Sequence, residues 1–146
     1  MRRLTSGSAS TGQSLVEFSL AVTIFIFILM AIFDLGRAIF MYNGVSQAAR
    51  EIARTTSVHP GALTLGDSID TAETVTAQQA LVPGLQVPPT YQCVDGSGAP
   101  STNDPCASGV DYVKVTVTAS FRPITPIISF VGDVTLSASS SIRLPG

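Results

Sequence analysis

The chain has 146 residues, room for one modest domain, and carries 8 basic and 10 acidic side chains for a formal net charge of −2. Charged residues make up 12% and hydrophobic residues 45%, which suits neither a polar disordered chain nor an ordinary cytosolic enzyme, where charged residues reach roughly 25%. The near-neutral balance offers no basic surface to nucleic acid, and one His with two Cys cannot build a four-ligand zinc site without carboxylates.

Residues 1–12, MRRLTSGSASTG, are rich in Ser and Thr and carry two charges, Arg2 and Arg3. Phe18 to Phe33 then reads FSLAVTIFIFILMAIF, free of charge and with only Ser19 and Thr23 polar. As a helix this run covers roughly 24 Å, and Leu15 and Val16 extend it to the roughly 20 residues a bilayer core needs, with Glu17 then enclosed. A core helix of a soluble protein keeps a polar stripe, whereas this run is apolar all round and predicts a membrane span. The basic flank favours an N-terminus in the cytoplasm; Arg37 beyond the run opposes it, with Asp34 beside it as an offset. A secretory signal peptide would have a shorter run and a small-x-small cleavage site, and the nearby Gly36-Arg37-Ala38 has Arg at its centre.

Glu17 is the informative residue. A carboxylate is costly inside a membrane unless it sits in the headgroup layer or meets a cation. It belongs to the string Gly12-Gln13-Ser14-Leu15-Val16-Glu17-Phe18: a Gly, four residues, a Glu, then an apolar helix, after a short basic leader. This resembles a type IV prepilin cleavage site. With Asp34-Leu35-Gly36-Arg37, Tyr42-Asn43 and Ala48-Ala49-Arg50-Glu51-Ile52-Ala53-Arg54, residues 12–56 resemble the TadE-like family of minor pseudopilins, part of the tight-adherence or type IVc pilus machinery. A looser likeness runs through Val113–Val117, Phe121-Arg122-Pro123-Ile124, Gly132-Asp133 and on to Arg143.

The resemblance implies that a prepilin peptidase cuts between Gly12 and Gln13. Glu17 becomes the fifth residue of the mature chain and pairs with the N-terminal amine of a neighbouring subunit. It also implies other pilins and pseudopilins, an inner-membrane assembly platform and the lipid bilayer as partners. The location is then the bacterial cytoplasmic membrane or the pilus itself. Major pilins of the wider superfamily usually begin with Phe after cleavage, and Gln13 departs from that, leaving its N-methylation open. Two other readings stay open: an uncleaved single-pass envelope protein with a partner-binding outer domain, and a domain released by signal peptidase.

Leu35, Ile39, Tyr42, Val45, Ala49 and Ile52 recur at helical spacing, so the helix is expected to continue to about Thr56, with Pro60-Gly61 ending it. This stripe is expected to face the chain's own outer domain. Asp34 and Arg37, three apart, share a helix face at the membrane exit, either as an interfacial pair or as a contact for another pilin or the assembly platform. Gly36 and Gly44 each cost roughly 1 kcal/mol of helix propensity, which leaves close packing, local melting or simple tolerance as readings. A second helix is expected over Asp67 to Leu81, capped by Asp67, with Asp70 and Glu73 near its N-terminus and Pro83-Gly84 as its stop. Val110 to Phe121 and Val134 to Leu144 alternate as half-buried antiparallel strands. Tyr91 to Val94 predicts a weaker strand, because Pro88 and Pro89 confine it to a start or an edge. The Pro-containing connection from Arg122 to Gly132 is either a loop that packs over the core, the expected case, or an exposed patch for a partner.

The expected fold is α+β and pilin-like: a long N-terminal transmembrane helix, packed at its outer half on a small antiparallel β-sheet, plus a short second helix. The divisions are a cytoplasmic leader (1–12), a transmembrane helix (13–34), its continuation outside (35–57) and an extracytoplasmic domain (58–146). In that location Cys93 and Cys106, flanking the turn-rich VDGSGAPSTNDP, which is expected to be a flexible loop, are expected to form a disulfide. No nucleophile, phosphate-loop or zinc-protease motif occurs. His59 is the sole His and sits in an expected loop; Asp95 and Asp104 supply too few ligands for calcium. No catalytic residue, metal site or cofactor is expected, nor is nucleic acid as a partner.

Overall fold

The structure is a computed structural model that describes residues 9–60, 65–103, 106–126 and 132–146. Arg2 and Arg3 of the expected leader, Asp104, and 127–131 of the apolar connection lie outside these residues. The elements in chain order are α1 (Ala9–Val58), α2 (Ile69–Leu81), β1 (Leu85–Val94), β2 (Tyr112–Phe121) and β3 (Val134–Arg143).

The 50 residues of α1 make a rod of about 75 Å. The described side chains of its first half are exposed or half-buried. An 18-residue window there reaches a mean hydropathy of 2.6 and none of it is buried. Ser19 and Thr23 donate their hydroxyls to the carbonyls of Val16 and Ser19, each at 2.8 Å, so the polar side chains of the run are satisfied within the helix. A helix in lipid must meet that condition, because no water is available there.

The outer half of α1 packs on the rest of the chain, through a different face from the one expected. Asp34, Val45, Ala48, Ala49, Ile52, Ala53, Thr56 and Ser57 are buried, with Met41 partly so. Leu35, Ile39 and Tyr42 are exposed. The expected stripe recurs at slightly less than the roughly 3.6 residues of a helical turn, so it winds around α1 by about 100° along its length. Its upper residues, Val45, Ala49 and Ile52, therefore meet the domain while its lower three pass beside it.

The sheet is three-stranded and antiparallel in the order β1-β2-β3. Central β2 turns Val113, Val115, Val117, Ala119 and Phe121 inward. The alanines of α1 allow a close approach, and Val82, Leu85 and Leu144 close the core. On β3, Leu136, Ala138, Ser140 and Ile142 share the inward face but are only half-buried, as an edge strand allows.

β1 is longer than expected and runs through both prolines. Its pairing with β2 shifts between Gln86 and Thr90, the stretch that holds Pro88 and Pro89. A proline has no N–H for the ladder, which an edge strand with an irregularity tolerates. Gly84 precedes β1 with φ of 75°, and a Cβ there would approach Ser120 O to 2.7 Å, so both the turn and the contact require glycine.

α2 begins two residues later than expected, and its cap is Ser68 rather than Asp67. Ser68 Oγ accepts the backbone N–H of Thr71 at 3.2 Å. Thr71 meets Thr56 near the far end of α1, and Val82 lies over Gly44, so α2 runs back toward the apolar half. At Gly44 an added Cβ would stand 3.2 Å from Val82, which makes close packing the role of that glycine.

Candidate functional site

The residues singled out in the sequence occupy three places along the molecule. Gly12, Gln13 and Glu17 are exposed near the free end of α1. The seventeen residues from Glu17 to Asp34 put these two carboxylates about 26 Å apart along the helix. Gly12 and Gln13 lie within α1 rather than in an extended segment, and a Cβ on Gly12 would meet nothing within 4 Å.

At the second place Asp34 and Arg37 come together, with Nη1 to Oδ1 at 3.4 Å. Asp34 does more than face its neighbour. Its side chain is 5% exposed and turned into the domain. Ile124 N–H donates to both carboxylate oxygens at 3.0 and 2.9 Å. Thr125 donates its N–H at 2.7 Å and its hydroxyl at 2.6 Å to Oδ2. A buried carboxylate is tolerated when donors surround it, and here four donated bonds and a cation do so. The Arg37 guanidinium in turn stands over the Phe121 ring, 5.4 Å from its centroid. One helical turn thus grips the end of β2 and the connection that follows. Within that connection Pro123 and Thr125 are buried while Ile124 is exposed.

The third place is the opposite end of the sheet. Cys93 on β1 is disulfide-bonded to Cys106, with Cα atoms 5.7 Å apart. The described residues between them are tied down rather than loose. Asp95 accepts from Ser97 N, Ser97 Oγ and Ala99 N. Asp111, almost fully buried, accepts from Ala107 N at 2.7 Å, Asn103 Nδ2 at 2.9 Å and Ser101 Oγ at 3.0 Å. The Ala107 N–H and then the Asn103 amide hold the Asp111 carboxyl below the usual carboxylate range. Hydrogen bonds from Ser97, side chain then backbone, do the same for Asp95. His59 stands 3.7 Å from Asp70 on α2. Among the described residues no group of three or more His, Cys, Asp or Glu side chains is placed to hold a metal ion.

The partners of Asp34 and the role of Asp111 were missed in the sequence. Asp34 lies 90 and 91 positions from Ile124 and Thr125, beyond any local pattern. Asp111 carried one usable signal, an acidic residue just ahead of the alternating run that begins at Val113.

A membrane-length apolar helix whose outer half carries a small antiparallel sheet on one face defines a pilin-like α+β fold. Residues 12–54 match the family model described as TadE-like protein, the same family that the sequence resembles. The match covers most of α1 and stops before α2 and the sheet. Comparison with curated proteins and with solved structures gives no match.

Proposed function

We propose that the chain is the precursor of a minor pseudopilin that takes part in assembly of a tight-adherence, or type IVc, pilus. One coincidence carries the reading: the Gly12-to-Glu17 string opens a membrane-length apolar helix, and that same helix matches the TadE-like model. In this reading residues 1–12 are a cytoplasmic leader, 13–34 cross the inner membrane, 35–57 continue the helix outside and 58–146 form the extracytoplasmic domain. A prepilin peptidase cuts between Gly12 and Gln13.

The mature chain then begins at Gln13 with a new amine, and Glu17 is its fifth residue. Amine and carboxylate are both expensive to hold in an apolar environment singly and tolerable together, so pairing between neighbours sets the register of subunits. The exposure of Glu17 supports this, since a neighbour can reach it. Other pilin subunits are the partners, and an inner-membrane platform extracts the helix from lipid. Arg37 with Asp34 marks the membrane exit.

Glu17→Ala tests the mechanism. The variant is expected to be cut after Gly12 like the wild type and to be missing from assembled pili. Normal piliation by this variant would remove Glu17 from the mechanism.

A further inference from the structure

Where α1 leaves its apolar half, a groove of about 820 Å³ lies between α1, the C-terminal end of α2 and Phe121. Its lining is largely apolar. Ile32 and Phe33 form the end nearest the apolar run, Arg37 stands above them, Phe40, Met41, Leu81 and Val82 line the stretch beyond it, and Asn43, Gln47 and Gln78 add polar groups there. Gly36 is on its floor, and a Cβ there would meet nothing within 4 Å, so the floor is open.

Arg37 is the only charged side chain among the described lining residues and is half-exposed. A guanidinium offers five N–H donors in a fork suited to phosphate. Asp34 engages it through Nη1 at 3.4 Å, while both Asp34 oxygens accept shorter bonds from Ile124 and Thr125. An occupant must therefore be largely apolar and carry an anionic group at the exit.

We infer that this groove seats one phospholipid of the leaflet at the helix exit, its phosphate on Arg37 and an acyl chain along Ile32, Phe33 and Gly36. The charge complementarity and the continuity of the groove with the apolar run single out a lipid from other occupants. The inference rests on the reading of α1 as a membrane span that ends near Asp34.

The test places the full chain in nanodiscs of phosphatidylethanolamine and phosphatidylglycerol and weighs it by native mass spectrometry after release. One phospholipid retained per chain is expected. Arg37→Gln is expected to lower the retained fraction about tenfold, the scale of one lost charge-assisted hydrogen bond. Gly36→Leu fills the floor while keeping the charge and is expected to lower retention as well. Equal retention by the wild type and both variants would overturn the inference. A two-chain mass that Gly36→Leu abolishes would overturn it in favour of a second copy. Insertion without retained lipid would overturn the lipid seat alone, whereas failure to enter the nanodisc would overturn the membrane reading and the seat together.

Discussion

Asp34 and Thr125 are 91 positions apart and share two hydrogen bonds, backbone N–H to Oδ2 at 2.7 Å and hydroxyl to Oδ2 at 2.6 Å. This contact joins the helix at the edge of its apolar half to the chain just past β2. It leaves the outer domain less free to swing about the rod, because the grip is at the end of the sheet nearest the apolar half, while the core contacts lie farther out along α1.

Asp34→Ala is therefore expected to loosen the connection after β2 without unfolding the sheet. Hydrogen exchange should show faster exchange at the amides of Ile124 and Thr125, with Val113 to Val117 still protected. Unchanged protection at Thr125 would mean that the carboxylate does not hold the connection.

The helix face that carries the domain can be separated from the stripe that winds away from it. Ile52→Ala removes a fully buried side chain and is expected to cost about 2–5 kcal/mol of unfolding free energy. Ile39→Ala alters an exposed position and is expected to stay within about 0.5 kcal/mol of the wild type in detergent. Denaturant unfolding of the full-length variants measures both, and equal costs would contradict the assignment of faces.

The end of the sheet remote from the apolar half should be sensitive to acid. Asp111 has its folded pKa depressed, chiefly by the Ala107 N–H, so its contribution is fully present above the unfolded value of about 4. That contribution is lost as pH falls through the folded value. Asp111→Asn should thus be less stable than the wild type at pH 7, with the gap closing in acid. A gap that stays constant down to pH 2 would show that ionisation of Asp111 does not matter to the fold.

The same region is cross-linked. Replacing Cys93 and Cys106 together with Ala is expected to cost about 3 kcal/mol by the chain-entropy model for a closed loop of this size. Unfolding with and without reductant gives an independent check, since the reduced wild type should fall to the level of the double variant.

Much of this architecture was legible in the sequence because its signals are local. The charge-free run from Phe18 to Phe33 marked the apolar half of α1, and the alternation from Val113 to Phe121 marked the central strand and its inward face. Boundaries were less legible where two residues compete for one role. Asp67 and Ser68 can both cap a helix, and only the backbone geometry selects Ser68, through its bond to Thr71 N–H. β1 was under-read because a proline pair normally ends a strand, while an irregular edge pairing accommodates it. The contacts at Asp34 were illegible for a different reason. They join residues 90 and 91 positions apart that folding alone brings together, and each partner looks ordinary in its own stretch of chain.

The central claim is that the leader is removed at Gly12. Intact mass and N-terminal sequence of the protein from its native envelope test it most directly, in cells with and without an active prepilin peptidase. The account predicts a chain that starts at Gln13 when the peptidase is active and at the original N-terminus when it is absent. A chain that still carries Arg2 and Arg3 beside an active peptidase would contradict it, and the protein would then be a static membrane anchor.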